Sequence, residues 1–228
     1  MIVIKNPALR GVMKYVIPIL LIPAAILAGV FLLDDKRYAF IILAVTVMAL
    51  LLFLAGFETK KTGTRRLVIV AVMVALSVVG RFIPLFKPIT ALTIITAVYL
   101  GSEAGFLVGA LSAVISNFYF GQGPWTPFQM FAWGMIGFIA GFLAAPMKKS
   151  RLLLIVYGAL AGVAYSFIMD VWTVLWYGEG FDTELYLASI TAAIPYTIVY
   201  ALSNIVFLFI FAKPFGEKLQ RVKIKYGV

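Results

Sequence analysis

Residues 104–146 read AGFLVGALSAVISNFYFGQGPWTPFQMFAWGMIGFIAGFLAAP, and this stretch decides the fold. It holds two apolar runs, 104–120 and 126–146, which are joined by a turn with two glycines and a proline. A helix needs about 20 mainly apolar residues to cross the hydrocarbon core of a bilayer. The stretch therefore predicts two antiparallel membrane-spanning helices, with lipid as their solvent.

The rest of the chain repeats this pattern, with short polar gaps between apolar runs. Six further runs cover 13–33, 38–57, 66–83, 88–101, 152–177 and 185–212. Hydrophobic residues make up 64% of the 228 positions and charged residues 12%, far from the balance of a soluble domain. We expect an all-α polytopic membrane protein, with a six-helix bundle in residues 58–228 and an accessory transmembrane hairpin in residues 1–57.

The basic residues predict the orientation of these helices. If the eight runs alternate in direction, one side of the membrane receives all of the 19 Lys and Arg residues except Lys36, Arg37, Arg81 and Lys87. Loops rich in Lys and Arg remain in the cytoplasm, so we expect both termini there. This topology explains the net charge of +10 without nucleic acid as a partner. Specific lipid binding by the basic C-terminal tail is the alternative.

Composition also limits the chemistry. The chain has no Cys and no His, which excludes disulfides, thiol nucleophiles and imidazole metal ligands. It has no Gly-x-x-x-x-Gly-Lys-Ser/Thr loop, so any ATP hydrolysis must come from another subunit. The sole adjacent acidic pair, Asp34 and Asp35, lies in a short turn, which disfavours a membrane enzyme such as a lipid-modifying transferase. We expect no catalytic residues, no metal and no cofactor.

Uncommon polar and aromatic side chains gather on the side opposite to most of the basic residues. Asp170 is the only carboxylate placed well inside a span, and such charges usually face a protein cavity, with Arg81 as the nearest basic candidate. Rings that stand beside a few amides are typical of small-molecule sites. The alternatives are an interfacial aromatic belt and a snorkelling arginine. The predicted extracellular pocket comprises Arg81, Asn117, Tyr119, Gln122, Trp125, Phe128, Gln129, Trp133, Asp170 and Trp172.

Two irregular segments belong to this side. RFIPLFKP at 81–88 holds two prolines among large apolar residues and forms either a lid or a tight hydrophobic turn. In GQGPWTPFQ at 121–129 the glycines permit a sharp turn, the prolines suit a helix start, and Thr126 is a candidate N-cap. On the cytoplasmic half of the third helix, Ala71 and Ala75 lie four residues apart on one face. Small residues at this spacing favour close helix packing, either with a partner or within the chain.

These features resemble the substrate-binding S components of energy-coupling factor (ECF) transporters, the vitamin importers of prokaryotes. The resemblance covers the chain from about residue 64 onward. It rests on AVMVA (71–75), the proline-containing loop after it, and GFLVGALSA (105–113) leading to Asn117 and GQGPW (121–125). It implies a six-helix fold in the plasma membrane, with an outward pocket capped by loops. It also implies that Ala71 and Ala75 pack on a membrane-embedded coupling subunit, which sits on two cytoplasmic ATPases.

The ligand is less narrowly defined by the resemblance. The turn at 121–129 is most similar to cobalamin-type S components, so cobalamin is the expected ligand, although folate or riboflavin suits a pocket of rings and amides equally. Asp170 is suited to a cationic group and Arg81 to an acidic one. The hairpin in residues 1–57 is additional to the family pattern. A stand-alone secondary transporter is the main alternative, because one buried Asp can serve a proton.

Overall fold

The computed structural model describes residues 6–32, 38–56, 63–85, 87–178 and 180–226, and every regular element in them is helical. The elements are α1 (Pro7–Val16), a π-helical turn (Ile17–Leu21), α2 (Ile22–Leu32), α3 (Tyr38–Ala55), α4 (Gly63–Gly80), α5 (Ile89–Leu100), α6 (Ser102–Phe120), α7 (Trp125–Phe142), α8 (Ala144–Lys149), α9 (Arg151–Tyr177) and α10 (Thr183–Tyr226). The prediction of an all-α polytopic membrane protein is confirmed. The predicted hairpin turn with Asp34, Asp35, Lys36 and Arg37 lies outside the described residues.

Five described helical segments are long and apolar enough to cross a membrane by length and composition. They are Pro7–Leu32, Tyr38–Ala55, Ser102–Phe120, Arg151–Tyr177 and Thr183–Lys225. α4, α5 and α7 occupy the remaining predicted runs and pack along α6. The short α8 is an additional helix in the connection between α7 and α9.

α5 lies at the centre of the bundle. All of its residues except Tyr99 are buried, and it packs against α4, α6, α7, α9 and α10. A helix that is enclosed on all sides is apolar on all sides. α5 is apolar except for the buried Thr90, Thr93 and Thr96, and the Thr96 hydroxyl donates to the Leu92 carbonyl of the same helix.

α6 and α7 approach each other closely through glycines. A Cβ atom on Gly109 would lie 2.5 Å from the carbonyl carbon of Trp133, and one on Gly137 would lie 2.5 Å from the carbonyl carbon of Gly105. Helices in lipid associate through such close packing of small residues. The α6–α7 pair is therefore fixed by backbone contact, which brings the polar residues at one end of each helix together.

The connections divide between two ends of the bundle. We call the end with residues 81–85, 87–88, 121–124 and 180–182 the loop end. We call the end with Arg66, α8 and the last turns of α10 the basic end. At the loop end, Phe82 packs on the rings of Tyr119 and Phe120, with centroid distances of 4.6 and 5.0 Å. The start of this loop, at Phe82, therefore rests on the end of α6.

The N-terminal hairpin packs on α6 and α7. Lys14 of α1 forms an ion pair of 2.9 Å with Glu103, which is buried in the first turn of α6. Arg66 of α4 donates to the carbonyl oxygens of Gly56 and Leu100, where α3 and α5 end without intrahelical partners. Sequence analysis did not identify Glu103 as a buried charge, because its partner is 89 positions away in the chain.

α10 is longer than its apolar run predicted. The run ends at residue 212, but the helix continues to Tyr226 and includes Pro195 and Pro214. Leu219 is buried, and Gly216 lies so close to Tyr99 that a Cβ atom would stand 2.2 Å from the phenol oxygen. The basic tail is therefore a helical extension packed on the end of α5.

We expect Gly109→Ala to lower the melting temperature of the purified protein, because its methyl group meets backbone atoms that cannot rotate away. Overpacking of this kind costs about 1–3 kcal/mol. The matched control is Gly11→Ala on α1, where a Cβ atom would meet nothing within 4 Å. Equal melting temperatures for the two variants would contradict the close α6–α7 contact.

Candidate functional site

Asn117, near the end of α6, joins side chains from α7 and from the segment that follows α4. It is fully buried. Its Oδ1 accepts a hydrogen bond of 2.6 Å from Arg81 Nη1. Its Nδ2 donates to Thr126 Oγ1 and to Gln129 Oε1, both at 2.8 Å. The Asn117 side chain thus accepts a hydrogen bond from Arg81 and donates hydrogen bonds to two side chains of α7.

The hydrogen bonds continue from Asn117 to α9. Gln129 Nε2 donates to the Tyr165 hydroxyl at 3.1 Å. Arg81 Nη1 also donates to Ser116 Oγ at 2.5 Å, and the Ser116 hydroxyl in turn donates to the Ser112 carbonyl. A half-buried charge next to the membrane core needs such partners, because an unpaired one is costly there. The network ties α6, α7 and α9 to the start of the loop after α4.

The turn between α6 and α7 is held by the same polar side chains. Gly121 ends α6 with a φ of +103°, a conformation that favours glycine. Gln122 donates to the Val114 carbonyl at 2.7 Å and accepts from the Thr126 hydroxyl at 3.0 Å. The prediction of Thr126 as N-cap is wrong, because α7 begins at Trp125 with Pro124 in the capping position. Thr126 instead lies inside the first turn and binds side chains of the network.

A cavity of about 60 Å³ opens beside this network, between the start of α5 and helices α7, α9 and α10. Trp133 and Tyr165 are stacked on its wall, with 4.7 Å between ring centroids and 11° between ring planes. Tyr200 meets Tyr165 edge-on at 5.4 Å. The residues lining the cavity are Arg81, Lys87, Ile89, Thr90, Gln129, Trp133, Gly162, Tyr165, Tyr200 and Asn204.

The charge at the cavity is positive. Arg81 and Lys87 line it, and none of the described lining residues is acidic. In the loop, burial and the nearby charge of Arg81 lower the pKa of Lys87. Such a wall suits a ligand that presents hydrogen-bond acceptors.

Asp170 lies elsewhere. The carboxylate is buried and its Oδ2 has no hydrogen-bond partner. None of the ion pairs among the described residues joins it to Arg81, the partner that sequence analysis suggested. Arg81 is satisfied by Ser116 and Asn117 instead. Asp170 is also absent from the cavity wall.

The remaining predicted site residues form a second group or lie apart. Phe128 and Trp172 line a narrow crevice against the hairpin, together with Ile26 and Tyr38. Trp125 packs edge-on against Trp172 at 5.8 Å. Tyr119 is 72% exposed on the outside of the bundle. Among the predicted residues, the structure thus brings together Arg81, Asn117, Gln122, Gln129 and Trp133.

Sequence analysis expected α9 to contribute Asp170 and Trp172, and it missed Tyr165 of that helix and the contribution of α10. Tyr165 and Tyr200 stand on the cavity wall, and Asn204 donates to the Gly158 carbonyl at 2.9 Å. A signal for α10 was present in the sequence, because Tyr200 and Asn204 are four residues apart on one face of an apolar helix. Isolated tyrosines such as Tyr165 carry no comparable signal.

The arrangement offers stacked rings and several hydrogen-bond donors. Within the described part of the chain, no group of three or more Asp, Glu, His or Cys residues is placed to hold a metal ion. The site is therefore suited to noncovalent binding of a flat, acceptor-rich molecule.

Comparison with known families connects this geometry to transport. The family model described as ECF-type riboflavin transporter, S component, matches residues 61–221. The chain belongs to this family. No match was found among curated proteins or among solved structures.

The S component is the substrate-binding subunit of an ECF transporter, so the protein is a transport subunit and not an enzyme. S components bind a vitamin and associate with an energy-coupling module. The match does not support the expected cobalamin specificity, because the family description names riboflavin. The hairpin up to Gly56 precedes the matched segment.

We expect Asn117→Leu to lower the melting temperature markedly, because it leaves Arg81, Thr126 and Gln129 without their shared partner. A buried polar group that loses its partner costs about 1–3 kcal/mol. Phe118→Leu, at the exposed neighbouring position, is the control and should change the melting temperature little. If both variants have the same melting temperature as the native protein, Asn117 does not stabilise the network.

Proposed function

We propose that this S component captures riboflavin at the loop end and delivers it inward with the energy-coupling module. The observation that carries the proposal is the stacked Trp133–Tyr165 pair beside the donors of Gln129 and Arg81. The family description, which names riboflavin, supports the same ligand.

The chemistry of riboflavin matches the cavity wall. Its isoalloxazine is a flat three-ring system, and one edge carries carbonyl oxygens and ring nitrogens. Aromatic side chains stack on such rings. Arg81 Nε is buried without a hydrogen-bond partner, and Lys87 adds a second cation at the wall. These groups are donors for the carbonyl edge, and the hydroxyls of the ribityl chain suit Tyr200 and Asn204.

The size of the cavity favours riboflavin over cobalamin. Pockets for molecules of this class occupy about 300–1,000 Å³, so a 60 Å³ cavity must widen on binding. Cobalamin, with its corrin ring and nucleotide loop, requires a much larger expansion. Residues 82–85, which follow the anchored Arg81, are suited to move, because Phe82, Ile83 and Leu85 are exposed and Leu85 has a φ of +65°. We infer that this segment is the lid.

The second part of the proposal concerns the coupling module. Ala71 and Ala75 are exposed on α4 and line an apolar groove of about 380 Å³ between α4 and α6. Leu111 and Ile115 form its opposite wall. Small residues at the base of a groove allow the backbone of a partner helix to approach closely. Flexible lipid chains fill a groove without needing small residues there. We infer that a membrane-embedded coupling subunit packs there and that two cytoplasmic ATPases supply the energy.

The third part concerns orientation. The basic end carries most of the Lys and Arg residues, so the positive-inside rule places it in the cytoplasm. The loop end and its cavity then face the exterior of a prokaryotic plasma membrane. This orientation lets the pocket meet the vitamin before the coupling module acts.

Riboflavin should bind the purified protein and lose fluorescence as its ring stacks on Trp133. Trp133→Leu should weaken this binding about 2- to 13-fold, because a buried ring contact is worth about 0.5–1.5 kcal/mol beyond its area. Trp176→Leu, which alters the crevice against the hairpin, is the matched control and should keep the native affinity. Equal affinity in both variants, or displacement of riboflavin by cyanocobalamin, would overturn the proposed site.

Replacing both Ala71 and Ala75 with Leu should abolish copurification with the coupling subunit while riboflavin binding persists. The added side chains fill the groove that the partner helix needs. Val68→Leu with Val72→Leu is the control, because these exposed α4 residues do not line the groove. Unchanged copurification of the alanine variant would show that docking occurs elsewhere.

A further inference from the structure

A second cavity lies at the basic end, remote from the ligand site. Its volume is about 240 Å³, and it lies between α5, the α8–α9 connection and α10. We call it the basic crevice. Its lining residues are Ile95, Val98, Tyr99, Met147, Lys148, Arg151, Leu154, Ala212 and Lys213.

Three cations from three different helices converge on the basic crevice. Lys148 lies in the last turn of α8, Arg151 begins α9 and Lys213 lies on α10, and all three side chains are exposed. The positive-inside rule requires basic residues on this side of the membrane, but it does not require them to meet at one cavity. None of the described lining residues is acidic.

Two of these cations are held in place by rings. Lys148 Nζ lies 5.0 Å from the ring centroid of Tyr99. The Arg151 guanidinium lies 4.0 Å from the ring centroid of Phe209 and donates to the Phe209 carbonyl. Such contacts reduce the freedom of long side chains before binding, so less conformational entropy is lost when an anion binds.

Among the residues that the structure describes, no carboxylate lines the basic crevice to neutralise its cations. Lys223 donates to the Tyr99 carbonyl at 3.4 Å and so brings a fourth cation near. Burial and the charge of Lys223 both lower the pKa of Lys148. The nearby carboxylate, Glu217, interacts with Arg221 along α10 at 3.9 Å. An anion that entered the crevice would relieve the repulsion among these cations.

Below the cations the wall is apolar. Ile95, Val98, Leu154 and Ala212 are buried and contribute only hydrocarbon. A free inorganic anion makes no favourable contact with an apolar wall. The glycerol and first acyl carbons of a phospholipid would pack against it. Basic pockets between transmembrane helices are known to bind lipid headgroups.

We propose that the basic crevice binds the headgroup phosphate of an anionic phospholipid, with Lys148, Arg151 and Lys213 as its ligands. The start of an acyl chain lies along the apolar wall. The bound lipid bridges α5, α8, α9 and α10, including the extension that packs on Tyr99. This site is independent of the riboflavin proposal.

The test is the melting temperature of the purified full chain, titrated with phosphatidylglycerol or with phosphatidylcholine. A ligand that binds the native state raises the melting temperature. We expect phosphatidylglycerol to do so at lower concentration than phosphatidylcholine. The combined Lys148→Gln, Arg151→Gln and Lys213→Gln variant should reduce the apparent affinity for phosphatidylglycerol about 100-fold.

The control variant removes the same charge elsewhere at the basic end, through Lys149→Gln, Lys218→Gln and Arg221→Gln. All three positions are exposed and none lines the crevice. It should keep most of the phosphatidylglycerol response. Equal losses in the two triple variants would show a diffuse charge effect and overturn the site.

Three further measurements complete the test. The single variant Lys148→Gln should lose part of the response, and an unchanged response in it would overturn the role of Lys148 even if the triple variant failed to fold. Inorganic phosphate should not reproduce the stabilisation, and if it did, the lipid assignment would be wrong. The Lys148→Gln, Arg151→Gln and Lys213→Gln variant should also be tested for copurification with the coupling subunit. If it loses copurification but keeps the lipid response, the crevice is a protein contact and the lipid assignment is wrong.

Discussion

The hydrogen bonds of the Arg81 guanidinium with Ser116 and Asn117 are the interaction on which the loop end depends. A cation at this depth is costly unless protein groups replace its hydration, and α6 supplies them at 2.5 and 2.6 Å. Asn117 then has only donors left, which it directs to α7. The cavity lies where this chain of bonds reaches Tyr165. The same bonds that stabilise the arginine therefore position the cavity wall that we propose as the vitamin site.

The close packing of α6 and α7 along their lengths supports this arrangement at the loop end. Gly105, Gly109 and Gly137 bring the two backbones into contact. The polar residues in the last turn of α6 and the first turn of α7 therefore have little freedom to separate. The hairpin packs on the same two helices and is joined to α6 by the Lys14–Glu103 pair. The chain thus combines a closely packed centre with two surfaces for which we propose functions: the loop end for the ligand and the exposed groove on α4 for the coupling module.

Much of the fold was predictable from the sequence because lipid imposes one rule on every span. The short central helix α5, the α6–α7 turn and the cluster of Arg81, Asn117 and Gln129 all follow from apolar length and from uncommon polar residues. Tyr165 was not predictable, because an isolated tyrosine in an apolar helix is equally at home in a core or at an interface. The extension of α10 was missed because its stability comes from contact with Tyr99, which lies far away in the sequence.

We propose that the cavity beside Arg81 faces outward and receives riboflavin, and one labelling measurement tests this placement directly. The chain has no Cys, so a Lys87→Cys variant carries a single thiol at the cavity wall, and a Lys149→Cys variant carries one at the basic end. In intact cells a membrane-impermeant maleimide should label the first variant only, and riboflavin should slow that labelling. Labelling of the Lys87→Cys variant only after permeabilisation, or at a rate that riboflavin does not change, would contradict the account.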